Sequence, residues 1–338
     1  MPSLPPPPPA KAEPIIGEFT LMSFQTPTIA SLVQEGAKLP DDLVNLGRML
    51  YYETRLSKAH DISCNTCHDL AKFGVDGKAL SAGHRGQLGD RNSPTVYNAS
   101  MQFVQFWDGR EPTVEAQALG PITNPVEMAM PADGKRVITT LESMPEYVDA
   151  FKKAFPNDAK PVTMENVGKA IGAFERRLIT PTRFHKLLGG DEKALTEEEQ
   201  RGVEAFHTVG CTSCHTGPGV GGNQYQKLGA VKPWPNLKDK GRGAITKKPE
   251  DDYFFKVPTL LNVAKTAPYG HSGQTATLEE MVNMMADYQL DLKRKLTEAE
   301  VKSIIAFLNT LTGEIPTNYI KAPELPKSTA KTPKPDTK

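Results

Sequence analysis

Cysteine is scarce: the 338 residues hold four, too few for a disulfide-built scaffold of this size. Charge of one sign is lacking, since 40 Lys plus Arg stand against 40 Asp plus Glu. That balance excludes a basic protein seeking polyanions, so nucleic acid is not an expected partner. No run approaches the ~18 apolar residues that a membrane-spanning helix needs. No apolar leader-like stretch follows Met1, which leaves a cytosolic protein or a mature form with Met1 added. Sustained strand alternation is also missing. What is plentiful is proline and glycine, 29 and 27 residues, which predicts many turns and much irregular backbone around helices.

The ends do not read as globular. Pro5 to Pro9 are consecutive prolines, a polyproline II spacer without donors. The stretch from Pro326 to Lys338 sets Lys327, Lys331, Lys334 and Lys338 among Pro, Ser and Thr, and reads as a solvated tail.

Between the ends, helical periods alternate with long loops. Pro40-Asp41-Asp42 opens a helix with Leu43, Leu46, Met49 and Leu50 at helical spacing. Thr163-Met164-Glu165 opens another through Val167, Ala170, Ile171 and Phe174. Thr196 with Glu199 has the form of a capping box, and Gly210 stops that helix after Val209. Thr277 with Glu280 and Thr297 with Glu300 repeat the signature. The stretches 74–121 and 216–257 carry no sustained period, and loops that long usually carry function.

The chemistry lies in two copies of one motif, Cys64-Asn65-Thr66-Cys67-His68 and Cys211-Thr212-Ser213-Cys214-His215. Cys-x-x-Cys-His is the attachment signature of a c-type haem. Both thiols add across the haem vinyl groups, and the adjacent neutral imidazole ligates iron. A zinc ribbon needs its cysteine pairs ~15–20 residues apart, whereas these are separated by the whole interval from Cys67 to Cys211. Every cysteine belongs to one of the copies, so the count predicts two covalently bound haems c. Each motif follows a predicted helix, so the fold class is mainly α: two cytochrome c-like haem domains with long inserted loops. Covalent haem attachment takes place outside the cytoplasmic membrane, which predicts a periplasmic protein.

His68 and His215 each fill one axial position, and the opposite ligand decides whether a haem carries electrons or does chemistry. For the second haem the candidates are His271, Met281, Met284 and Met285. Met284 and Met285 are helix neighbours pointing ~100° apart, so they cannot both face iron. For the first haem the candidate is His84, on the Gly-rich stretch Ser81-Ala82-Gly83-His84-Arg85-Gly86. A loop ligand can be withdrawn to open the coordination position. His60, His185 and His207 are read as structural.

From about Ile16 to Thr312 the chain resembles the bacterial dihaem cytochrome c peroxidases. Besides the two haem motifs, the resemblance rests on Gly83-His84-Arg85-Gly86, Arg91-Asn92-Ser93-Pro94-Thr95, Phe106-Trp107-Asp108-Gly109-Arg110, Asn124-Pro125-Val126-Glu127-Met128, Val257-Pro258-Thr259-Leu260 and Thr277-Leu278-Glu279-Glu280 running on to Gln289-Leu290. The resemblance implies His84 as the displaceable ligand of a low-potential haem and Met285 as the ligand of a high-potential haem. It implies Glu127 and Gln117 as pocket residues and Trp107 as the aromatic between the haems. It also implies one calcium ion at Asn92, Thr266 and Pro268, a hard oxygen site. Tyr269-Gly270-His271-Ser272-Gly273 departs from the family, which usually has Asp or Asn after that His.

The implied reaction is reduction of hydrogen peroxide to water, with electrons from a small cytochrome c or a cupredoxin, by a homodimer. The implied layout is a proline-rich segment at 1–15, a peroxidatic domain at 16–181, an electron-transferring domain at 182–312 and an extension at 313–338. A plain dihaem electron carrier is the alternative from another class; it needs no pocket carboxylate. Relatives that mature a tryptophan-derived cofactor carry Tyr where this chain has Met285.

Overall fold

The computed structural model describes residues 14–24 and 28–338. The run Pro5 to Pro9 lies outside the described residues. Two helix pairs organise the rest. In the first, Asp41–Tyr52 packs on Met164–Glu175. In the second, Glu197–Thr208 packs on Glu298–Thr310. Each pair crosses at one glycine. A Cβ on Gly47 would lie 1.8 Å from the Ala170 carbonyl oxygen, and one on Gly202 would lie 1.9 Å from that of Ser303. Both contacts are far inside van der Waals distance, so only a residue without a Cβ permits either crossing.

The predicted caps form. Thr196 and Thr297 accept from the backbone N–H of Glu199 and Glu300, whose carboxylates accept from the cap residues in return. Thr163 accepts from Asn166 N–H at 3.1 Å. Thr277 completes only half of the box. It accepts from Glu280 N–H, while the Glu280 carboxylate accepts from Ala276 N–H at 3.3 Å. Strand is confined, among the described residues, to the antiparallel pair Tyr225–Lys227 and Phe254–Lys256 and a few isolated bridges.

Each helix pair carries its own core. The first is built on Leu46, Leu50, Tyr51, Ile171 and Phe174. The second is built on Phe184, Val203, Phe206, Ile304 and Phe307. The ends of the chain trade places between them. Ile16 and Phe24 belong to the second core, where Phe24 meets Phe184 edge-on at 5.1 Å. Ile320 belongs to the first core, with Tyr319 packed against it. The expected layout gave Ile16 and Phe24 to the first domain and left 313–338 as an appendage; the packing assigns them otherwise.

In the stretch 326–338 Lys327, Lys331, Lys334 and Lys338 are exposed, as expected of a solvated tail, but the main chain is docked. Arg55 Nη2 donates to the Pro326 carbonyl at 2.8 Å, and Arg136 Nη2 donates to that of Lys334 at 2.7 Å. Asp336 N–H donates to the Lys58 carbonyl at 2.9 Å. Prolines and lysines hide this docking in the sequence, because main-chain carbonyls supply most of the acceptors.

Candidate haem sites

Two cavities lie over the two cysteine motifs. Cys64, Cys67 and His68 line one of about 710 Å³. Cys211, Cys214 and His215 line the other, of about 400 Å³. Both volumes fall in the ~300–1,000 Å³ range of cofactor sites. All four cysteines are free. In each motif a short helical turn places the first cysteine one turn before the histidine, and the His N–H donates back to Cys64 at 2.9 Å or Cys211 at 3.0 Å.

The two imidazoles suit an iron. Burial lowers the pKa of His68, against the opposing effect of the Gly74 and Pro94 backbone. Burial takes His215 down to about 4, with the Val220 backbone opposing. Both are therefore neutral at pH 7, the form that ligates metal. Nδ1 of each is buried without a hydrogen-bond partner. Burial likewise raises the thiols of Cys64, Cys67 and Cys211, the last to about 12. Half-buried neutral imidazoles beside paired thiols, lining cavities of this size, fit a covalently attached haem at each motif.

The cavities differ in what else faces them. Glu127 and Gln117 line the Cys64–His68 cavity. Gln117 ends the short helix Val114–Gln117, capped by Thr113. The Glu127 carboxyl accepts from Asn124 Nδ2 at 2.8 Å. Its pKa is raised by burial, against the lowering pull of Arg110 and Asn124. Asp108, the neighbouring acid, is committed to Arg91 and Arg110. His84 is buried but does not line this cavity. Its backbone N–H donates to the carbonyls of Val126 at 2.9 Å and Glu127 at 2.7 Å. The loop, whose ligand was expected to be withdrawable, is tied through its main chain to the Glu127 segment.

Met285 lines the Cys211–His215 cavity together with Met281, Met284 and His271. The Met284 sulfur already accepts from Thr275 Oγ1 at 3.5 Å. His271 stacks on Phe255 at 4.5 Å. Trp107 lines both cavities, and its Nε1 donates to the Asn92 carbonyl at 2.9 Å. Asn92, Thr266 and Pro268 share one cavity wall. Asn92 Nδ2 donates to the Lys78 and Ala79 carbonyls, which leaves Oδ1 as the amide's acceptor end. Of the histidines read as structural, His185 bonds Thr182 and the Pro218 carbonyl, and His207 bonds Thr212.

Two lining residues escaped the sequence reading. Glu175 is buried in the Cys64–His68 cavity wall, its carboxyl raised to about 8 by burial and by the Glu115 charge. Its signal was a carboxylate four residues beyond Ile171, on an apolar stripe. Lys256 is buried between Phe255 and Val257 and lines both cavities.

Comparison with known proteins defines the class. Residues 41–193 match the family model of the di-haem cytochrome c peroxidases, and residues 199–312 match that of cytochrome c. The chain is 44% identical over 306 residues to a cytochrome c551 peroxidase of Pseudomonas aeruginosa, covering 89% of this chain and 86% of the relative. It is 45% identical over 296 residues to a cytochrome c551 peroxidase of Nitrosomonas europaea, covering 87% and 86%. The crystal structure of a MauG-like protein associated with microbial copper homeostasis superposes with a TM-score of 0.74 at 29% identity, covering 84% of this chain and 94% of that one. The chain belongs to the di-haem cytochrome c peroxidase family.

Proposed function

We propose that this chain is a dihaem peroxidase that reduces hydrogen peroxide to water. The observation that carries the reading is the shared cavity of His68, Glu127 and Gln117, a neutral ligand facing a buried acid–base group and an amide. Cys64, Cys67 and His68 hold one haem; Cys211, Cys214, His215 and Met285 hold the other. The haems, when bound, supply the redox chemistry. Heterolysis of the O–O bond needs a proton moved from one peroxide oxygen to the other. Glu127 takes and returns that proton, and Asn124 holds its carboxyl in place. Gln117 orients peroxide by hydrogen bond. His84, which lies outside the cavity lining as the loop stands, would supply a displaceable ligand to the first haem, and Met285 would ligate the second, where a thioether raises the potential. Trp107, common to both cavities, is the packed route between them.

A calcium ion at Asn92, Thr266 and Pro268 belongs to the same reading. It is supported by Asn92, Thr266 and Pro268, all able to offer neutral oxygens, lining one cavity together with Trp107. Electrons come from a small cytochrome c or cupredoxin in the periplasm, the compartment where covalent haem is attached. Retention of Met285, where tryptophan-maturing relatives carry Tyr, weighs against that alternative.

The test is steady-state peroxide consumption by the holoprotein with a reduced small cytochrome c. The expected result is two donor molecules oxidised per peroxide. Donor oxidation without peroxide loss, or no turnover with both haems present, would favour the electron-carrier reading.

A further inference from the structure

Lys256 closes the strand Phe254–Lys256, paired across from Tyr225. Its backbone N–H donates to the Trp107 carbonyl at 2.8 Å, which fixes the strand to the wall between the cavities. The side chain is buried, with 4% of the residue exposed. Its Nζ meets the Gln102 amide oxygen, and no carboxylate lies within ion-pairing distance among the described residues. Two acids that line the Cys64–His68 cavity with Lys256 are already paired: Asp108 with Arg91 and Arg110, and Asp239 with Arg91. A buried ammonium without a counter-charge is strongly disfavoured, and burial alone takes this one down to about 7. Lys256 and Gln102 line both haem cavities.

We infer that Lys256, steadied by Gln102, is the shared counter-cation for propionate carboxylates of the haems in both cavities. A haem attached through its vinyl groups keeps two carboxylates, and these are the anions the cavities bring to this wall. Charge explains the siting: the ammonium gains an anionic partner from the haems where the protein supplies no carboxylate. The same cation also disfavours the oxidised, more positive state of either haem. Lys256 is thus a cofactor-binding residue that couples the two haems electrostatically beside Trp107. The inference rests on haem occupancy of both cavities and is independent of peroxide turnover.

The test uses the holoprotein, with two haems per chain verified by intact mass. Lys256→Met, Lys256→Arg and Gln102→Leu are compared by spectroelectrochemical titration and by the propionate bending modes in resonance Raman. Lys256→Met is expected to lower both midpoint potentials and to shift propionate modes of both haems. Lys256→Arg, which keeps the charge, is expected to hold both potentials near wild type. Unchanged potentials and modes in Lys256→Met would overturn the inference, and a shift confined to one haem would overturn the shared role. Should Lys256→Met fail to retain haem, Gln102→Leu decides by the same Raman modes: displaced modes support the assignment, and unmoved modes refute it.

Discussion

The Tyr319 ring stacks on Phe174 with centroids 5.0 Å apart, and its hydroxyl donates to the Phe174 carbonyl at 2.7 Å. Phe174 sits on the helix that walls the first haem cavity, so the end of the chain reaches back to brace it. Further along, Asp336 N–H bonds the Lys58 carbonyl, and Lys58 N–H bonds the Met128 carbonyl at 2.8 Å, one residue from Glu127. The C-terminal segment therefore packs beside the first core, although it follows the second in sequence. Deleting residues 326–338 removes several hydrogen bonds worth about 1 kcal/mol each. The expected outcome is a lower melting temperature of the first domain with both haems retained. Differential scanning calorimetry checks it, and an unchanged profile would make the docked tail energetically idle.

The two adjacent methionines of helix Leu278–Gln289 are separated by their partners. Thr275 occupies the Met284 sulfur, while among the described residues no side-chain hydrogen bond engages that of Met285. Met285→His should therefore collapse the higher of two well-separated reduction potentials, and Met284→Ala should leave it near wild type. A redox titration reads both. Collapse in Met284→Ala alone would reverse the ligand assignment.

On the proposed reading His84 is a displaceable ligand, and its backbone N–H bonds to the Val126 and Glu127 carbonyls tie its loop to the segment that carries the acid–base group. The half-reduced enzyme is expected to turn over faster than the fully oxidised one, and His84→Gly should remove the difference. Initial rates from the two starting states measure this directly; equal rates in the wild-type protein would mean no reductive gate.

The haem motifs were legible because covalent attachment uses residues contiguous in the chain. The helices were legible because caps and apolar stripes are local, as Thr196 with Glu199 shows. Met285 and Glu127 needed the family resemblance, since a methionine on an apolar stripe and a glutamate after Pro-Val carry no local sign of their role. Lys256 was missed because a lysine between Phe255 and Val257 reads as the exposed member of a strand; its burial comes from Trp107 and Gln102, about 150 residues earlier in the chain. The docked tail was missed for a similar reason, since Arg55, Lys58 and Arg136 lie in the other half of the molecule.

Acid dependence follows from the environment of Glu127. Burial raises its pKa, so its proton-accepting form is lost at a higher pH than for an ordinary glutamate. Turnover should fall as pH drops through that raised value. The limb should vanish in Glu127→Gln, whose residual rate is insensitive over the same range. A pH–rate profile of both proteins checks the assignment, and an identical acid limb in the variant would place the titrating group elsewhere.

Glu127→Gln also provides the most direct measurement of the central claim, that peroxide is cleaved in the His68 cavity with this carboxylate moving the proton. The substitution keeps shape and hydrogen bonding but cannot accept a proton. A positioned general base typically contributes ~10²–10⁴-fold, about 3–5 kcal/mol of barrier. Steady-state peroxide reduction is measured on wild type and variant with haem content and both potentials matched. The account predicts a loss of that order with unchanged spectra; a wild-type rate in Glu127→Gln would contradict it.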